Sequence, residues 1–221
     1  MSLLADRFWR QALALAALLL FAGGPLHPNP DTTRSFEQST AAMLGTPSWV
    51  PAHALILAAY VAAAVGLSGL ARRATSPAGR AAGWLAVAGA LGSAVEMSFH
   101  LAAVVDRAAL VSGGPTPILN THLTLATFVQ PLLGFSIAAY AVLETHRRDA
   151  LGIALLGLGV VGGVLHGLSA PIVVATRDQG FSVLFKAAIL IALWLALSAV
   201  ASRRAPSRDR EAATARAGAT L

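Results

Sequence analysis

The chain contains no cysteine. That excludes disulfides, thiolate metal sites, iron–sulfur clusters and a cysteine nucleophile. Charge is scarce too: 12% of the 221 residues are Asp, Glu, Lys or Arg, against about 25% in a soluble domain. So few charges cannot coat a globule of this size, which argues against a cytosolic enzyme. With 56% of residues hydrophobic, disorder over most of the length is excluded as well. Lysine is reduced to one residue, Lys186, and every other basic residue is arginine. Several catalytic signatures are missing: His-Glu-x-x-His, the Gly-x-Ser-x-Gly elbow, the Walker loop and the Rossmann fingerprint. The Glu96-x-x-x-His100 spacing also differs from the Glu-x-x-His of carboxylate-bridged di-iron bundles. A zincin, a serine hydrolase and an ATPase are poorly supported, and no segment reads as a nucleic-acid module.

What the sequence has in quantity is apolar length. Six stretches, at about 8–24, 51–71, 81–105, 121–143, 150–175 and 181–201, approach or exceed the ~20 residues that cross a bilayer. Gly24-Pro25, Thr46-Pro47, Ser76-Pro77 and Gly113-Gly114-Pro115 punctuate them. The expected fold is an all-α polytopic membrane domain of six spans over residues 1–201. A disordered basic tail is expected over 202–221, and a long polar outer loop over 25–50 that folds across the outer face. The first span could alternatively be a secretory signal ending at Ala22-Gly23-Gly24, although Pro25 after the cut disfavours cleavage.

Arginine placement predicts orientation. Arg7, Arg10, Arg72, Arg73, Arg80, Arg147, Arg148 and the five tail arginines fall on one side, whereas only Arg34, Arg107 and Arg177 fall on the other. The positive-inside rule then puts both termini in the cytoplasm, in an inner (plasma) membrane. Flanking arginines also account for the net charge of +6. The bilayer is therefore one partner; other membrane subunits or a second copy of the chain are further candidates.

Against this apolar background the polar residues within spans are the functional candidates. Counted from each span's midpoint, His53, His100 and His122 fall roughly 12–14 Å out, and Glu96, His166 and Lys186 roughly 6–8 Å out. All six lie in the outer half. His53 and His122 open the second and fourth spans; His100 lies near the end of the third and His166 in the outer half of the fifth. This spacing suggests a duplicated hairpin, spans two–three and four–five, forming a four-helix core with facing pairs His53/His122 and His100/His166. Glu96 and His100, at i and i+4, share one helix face. Both could ligate one metal, or Glu96 could orient an imidazole. His53, His100, His122 and His166 are candidate cofactor ligands, and the same four with Glu96 are candidate metal ligands. Glu96 and Lys186 are candidate catalytic groups, as proton carrier and electrostatic partner. Gly159, Gly162, Gly163 and Gly167 around His166 suit close helix packing or a flat porphyrin laid against the helix. Lys186 in a sixth span does not match a seven-helix retinal protein.

In architecture alone, over about residues 50–175 and with no shared motif, the arrangement resembles the axial-ligand plan of transmembrane b-type cytochromes, in which four histidines on four central helices hold haem. Those proteins place two haems at opposite membrane sides, whereas all four histidines here lie on one side. One haem, or a mono- or dinuclear metal site (zinc, copper or iron) with Glu96, fits better. The leading expectation is therefore an outward-facing His/Glu site that binds a metal ion or b-type haem for redox or metal-dependent chemistry. The alternatives are a proton- or small-solute-coupled transporter and an accessory subunit of a larger membrane complex.

Overall fold

The structure, a computed structural model, describes residues 3–201; the tail expected to be disordered lies outside the described residues. The chain folds into α1 (Leu3–Leu26), α2 (Phe36–Leu44), α3 (Trp49–Arg73), α4 (Pro77–Ala102), α5 (Arg107–Ser112), α6 (Pro117–Glu144), α7 (Ala150–Thr176) and α8 (Ala188–Ala201), with 3-10 segments at Ala103–Asp106 and Gln179–Ala187. There is no strand among the described residues. Six helical stretches are long and apolar enough to cross a membrane: α1, α3, α4 with its extension, α6, α7, and α8 with the 3-10 segment before it. The protein is a multi-pass helical membrane protein.

Local chemistry sets the helix boundaries. Pro77 occupies the first turn of α4, where its missing N–H costs nothing, and Ser76 Oγ accepts from Gly79 N at 2.9 Å. Asp149 caps α7 in the same way, accepting from Gly152 N at 2.9 Å. Pro117 opens α6. α5 ends at Gly113, whose φ of +74° lies in the left-handed region that favours glycine.

The six spans form a closed ring in chain order. α1 packs on α3, α3 on α4, α4 on α6, α6 on α7, α7 on α8, and α8 returns to α1. The two hairpins lie side by side across the α4–α6 contact, and α1 and α8 complete the circle between α3 and α7. Small residues set the approach, as expected where lipid removes the hydrophobic drive between helices. Gly66 and Gly69 of α3 receive Leu13 and Trp9 of α1, and Gly134 of α6 lies against the backbone of Gly163 and Gly167 of α7.

The two halves of the ring differ in filling. At the end carrying Arg72, Arg73 and Arg147, the interior is a packed apolar core that includes Trp9, Leu13, Leu67, Leu133, Ile137 and Trp194. At the opposite end the interior holds a cavity of about 260 Å³ lined from all six spans. The segment between α1 and α3, expected as a polar loop, contains α2. Its Phe36, Thr40 and Met43 close part of the cavity mouth. α2 begins with a capping box between Ser35 and Gln38. It is held by an Arg177–Glu37 ion pair at 2.8 Å, by Arg107 Nε donating to the Ala41 carbonyl at 3.1 Å, and by Gln179 Nε2 donating to Thr40 Oγ1 at 3.3 Å.

Candidate metal centre

Four helix ends deliver imidazoles to one place. His53 sits in the first turns of α3, where its Nδ1 donates to the Trp49 carbonyl at 2.6 Å. A carbonyl only accepts, so the Nδ1 proton is fixed and His53 Nε2 carries the lone pair. That atom is buried without a hydrogen-bond partner. His27 follows the end of α1, and its Nδ1 donates to the Pro28 carbonyl at 2.8 Å. Its Nε2 is thus also the basic nitrogen, and burial pushes the ring's proton affinity below the ordinary histidine range. This use of one ring nitrogen on a backbone carbonyl, leaving the other for an ion, is the usual second-sphere arrangement of metal-binding histidine.

α4 contributes Glu96 and His100, and α6 contributes His122. Glu96 is fully buried. Its Oε1 lies 3.9 Å from His100 Nδ1 and in closer contact with His122 Nδ1. The Glu96–His122 contact is an ion pair, whereas His100 Nδ1 and Glu96 Oε2 have no hydrogen-bond partner. The rings pack on one another: His100 stacks on His122 with centroids 3.7 Å apart and 20° between planes, and meets His53 at 4.3 Å. His27 lies 4.8 Å from His53, and Trp49 borders His53 at 4.0 Å and His100 at 4.9 Å.

Two donor triads result, His27/His53/His100 and Glu96/His100/His122, each with ligand atoms within 4.8 Å of one another. Bonds of 2.0–2.2 Å in a tetrahedral site put donors about 3.3–3.6 Å apart, so a small contraction closes either triad on an ion. His100 belongs to both. These groups could hold a metal, and they lie toward the outer end of the cavity, which His27, His100 and His122 help to line.

The sequence candidates are therefore divided. His53, His100, His122 and Glu96 come together. His166 does not join them: it lines the cavity, is buried, and makes no ring contact with His100, so the facing pairs His53/His122 and His100/His166 give way to the His53–His100–His122 cluster. The reason is the ring: α1 and α8 separate α3 from α7, which removes the four-helix diagonals. Lys186 lies at the cavity rim, exposed on the protein surface, and makes no ion pair with Glu96, whose neighbours are imidazoles. The glycine-rich face of α7 is already filled: Gly159 faces Ala141 and Trp194, Gly162 faces Leu190, and Gly167 faces Phe135.

His27 is not among the sequence candidates, because the sequence places it in the polar outer loop 25–50. The available signal was its depth: it ends the first span as His53 opens the second. The prolines at 28 and 30 turn the chain back across the mouth there. Comparison with family models, curated proteins and solved structures gave no match.

Proposed function

We propose that this protein is an integral-membrane metalloprotein. It holds a transition-metal ion where the two donor triads meet, with His100 as pivot, for redox or metal-dependent chemistry in the adjoining cavity. The observation that carries the reading is a set of buried atoms short of partners: His53 Nε2, Glu96 Oε2 and His100 Nδ1 have no hydrogen bond, and Glu96 Oε1 and His122 Nδ1 contact only the imidazole–carboxylate cluster itself. Each such atom costs about 1–3 kcal/mol, and more for a charged group. A proton shared between Glu96 and His122 would satisfy that pair alone. A cation satisfies the set, and the carboxylate offsets its charge where the dielectric is low.

The donor chemistry, imidazole nitrogen with one carboxylate, suits zinc, copper or iron. An ion fits better than a b-type haem. Axial imidazoles stand on opposite faces of the porphyrin plane, whereas His100 and His122 stack directly on each other. The ion would serve as Lewis acid or redox centre; Glu96 and the histidines hold it, and Trp49 fixes the His53 ring. Transport is less favoured, since a solute path would have to cross Leu67, Leu133, Ile137 and Trp194. The arginine asymmetry supports cytoplasmic termini and a site facing outward across an inner membrane.

Elemental analysis of the detergent-purified protein, combined with its visible spectrum as isolated and after reduction, tests this reading. One transition-metal ion per chain, without a Soret band and lost in His100→Ala, is expected. A Soret band, or no stoichiometric metal after incubation with zinc, copper and iron in turn, overturns it.

A further inference from the structure

His166 lines the cavity apart from both donor triads. It is 3% exposed, and neither ring nitrogen has a hydrogen-bond partner. A neutral imidazole presents one N–H and one lone pair, and leaving both unmet in the interior is costly. Its polar neighbours do not meet them: Ser169 Oγ donates to the His166 carbonyl at 2.6 Å and lies 3.2 Å from Gln130 Oε1. The surrounding wall is mainly apolar, with Leu20, Ile56, Leu123, Val173 and Ile189. Water alone is a poor occupant there, because an ordered water needs 2–4 polar partners. A cavity of about 260 Å³ instead admits an organic molecule.

The ring also has a lateral gap. α8 packs on α1, but the 3-10 segment Gln179–Ala187 before it packs on α7 and α8 and makes no extended contact with α1. Nine residues is long for a 3-10 helix, where runs above 3–4 are uncommon. Its i, i+3 periodicity puts Gln179, Ser182 and Phe185 in one row, and all three line the cavity. On either side of the gap, Gly24 of α1 and Lys186 line the cavity, are exposed, and lie within candidate membrane spans. At this depth the outside is lipid.

We infer that the cavity binds a bilayer-soluble organic molecule with an apolar body and a hydroxyl or carbonyl oxygen. His166 holds that oxygen, and the molecule reaches the site sideways from the membrane between α1 and the 3-10 segment. The inference deepens the metal-centre reading by naming the class of substrate, and rests on it for the chemistry that follows binding.

The test uses the full chain in nanodiscs, titrated calorimetrically with 1-naphthol and with naphthalene, against empty nanodiscs. Loss of one buried hydrogen bond corresponds to about tenfold in affinity. Naphthol should therefore bind about tenfold tighter than naphthalene. His166→Phe should abolish that preference while retaining naphthalene binding, and His166→Gln should keep part of it. Gly24→Trp, at a position where an added Cβ meets nothing within 4 Å, should slow naphthol association in stopped flow. A preference that survives His166→Phe, absence of saturable binding of either probe, or an unchanged rate in Gly24→Trp overturns the inference. Metal content measured on the same samples separates the two readings. Intact metal with no probe binding defeats only this inference; His166-dependent binding without metal in any sample defeats only the metal centre.

Discussion

Two glutamates, one at each end of the bundle, show what separates a structural carboxylate from a candidate ligand. Glu144 ends α6 at the arginine-rich end, where it meets the start of α4. Its Oε2 accepts from Thr75 N and Oγ1 at 2.7 and 2.9 Å, and its Oε1 from Ser76 N and Oγ at 3.0 and 2.7 Å. Every bond is made, and the carboxylate ties α6 to the cap of α4. Glu96 is more deeply buried; its Oε1 pairs with the His122 imidazole and its Oε2 has no hydrogen-bond partner. Its neighbours are two imidazoles, whose Nδ1 atoms face it. The first carboxylate is fully hydrogen-bonded, whereas the second faces two imidazoles that could share an ion with it. An acidic residue in a membrane helix is thus informative through its partners more than through its depth.

Substitution is the sharpest way to break this comparison. His100→Ala removes a donor from both triads, and Glu96→Gln removes the charge that offsets the ion. Each should weaken metal affinity by at least about a hundredfold, since changes outside the ligand sphere alone cost about 10–100-fold. Competition with a chromophoric chelator measures it, and retention of metal by either variant would place the ion elsewhere. Lowering the pH from about 7.5 to about 4 should release the ion progressively. Protons compete for the imidazole lone pairs, and because burial holds His27 below the ordinary histidine value near 6.5, release should come below that value; acid favours the metal-free form. Metal retained on dialysis at the lower pH would argue against histidine ligation.

Glu144→Gln should leave metal content unchanged and lower stability by about 1.5–3 kcal/mol, the range for hydrogen bonds to a charged group. Thermal unfolding in detergent, with metal analysis alongside, checks both halves; loss of metal would erase the distinction between the two glutamates. Arg177→Ala should have the smallest effect. The Arg177–Glu37 pair is about half exposed, and such pairs contribute about 0–1 kcal/mol. The same guanidinium lies 4.1 Å over the Phe36 ring, so faster amide exchange over Phe36–Leu44 is expected with no change at the metal. Unchanged exchange would mean that Arg107 and Gln179 suffice to hold α2.

The fold was legible because bilayer thickness converts directly into apolar run length, and Pro and Gly mark the breaks. Glu96, His100, His53 and His122 were legible because ionisable groups are costly at that depth and share one half of the membrane. The pairing of histidines was not. It depends on the order of helices around the ring, and the positions of α1 and α8 between α3 and α7 leave no periodic trace in the sequence. His27 was hidden by its place just beyond a span, where a polar residue is unremarkable. The glycines around His166 are ambiguous for a related reason: the same small side chains suit a cofactor or a neighbouring helix, and here Ala141, Leu190 and Phe135 pack against them.

The apolar core beneath the cavity has an electrical consequence. Any charged species that reaches the candidate centre must arrive and leave by the same end of the bundle, because Leu67, Leu133, Ile137 and Trp194 fill the other half. A charge moved across the whole membrane exchanges about 2.3 kcal/mol per 100 mV with the transmembrane potential. One that turns back before the core exchanges little of that energy. Chemistry at this site would run at nearly the same rate in an energised and a de-energised membrane.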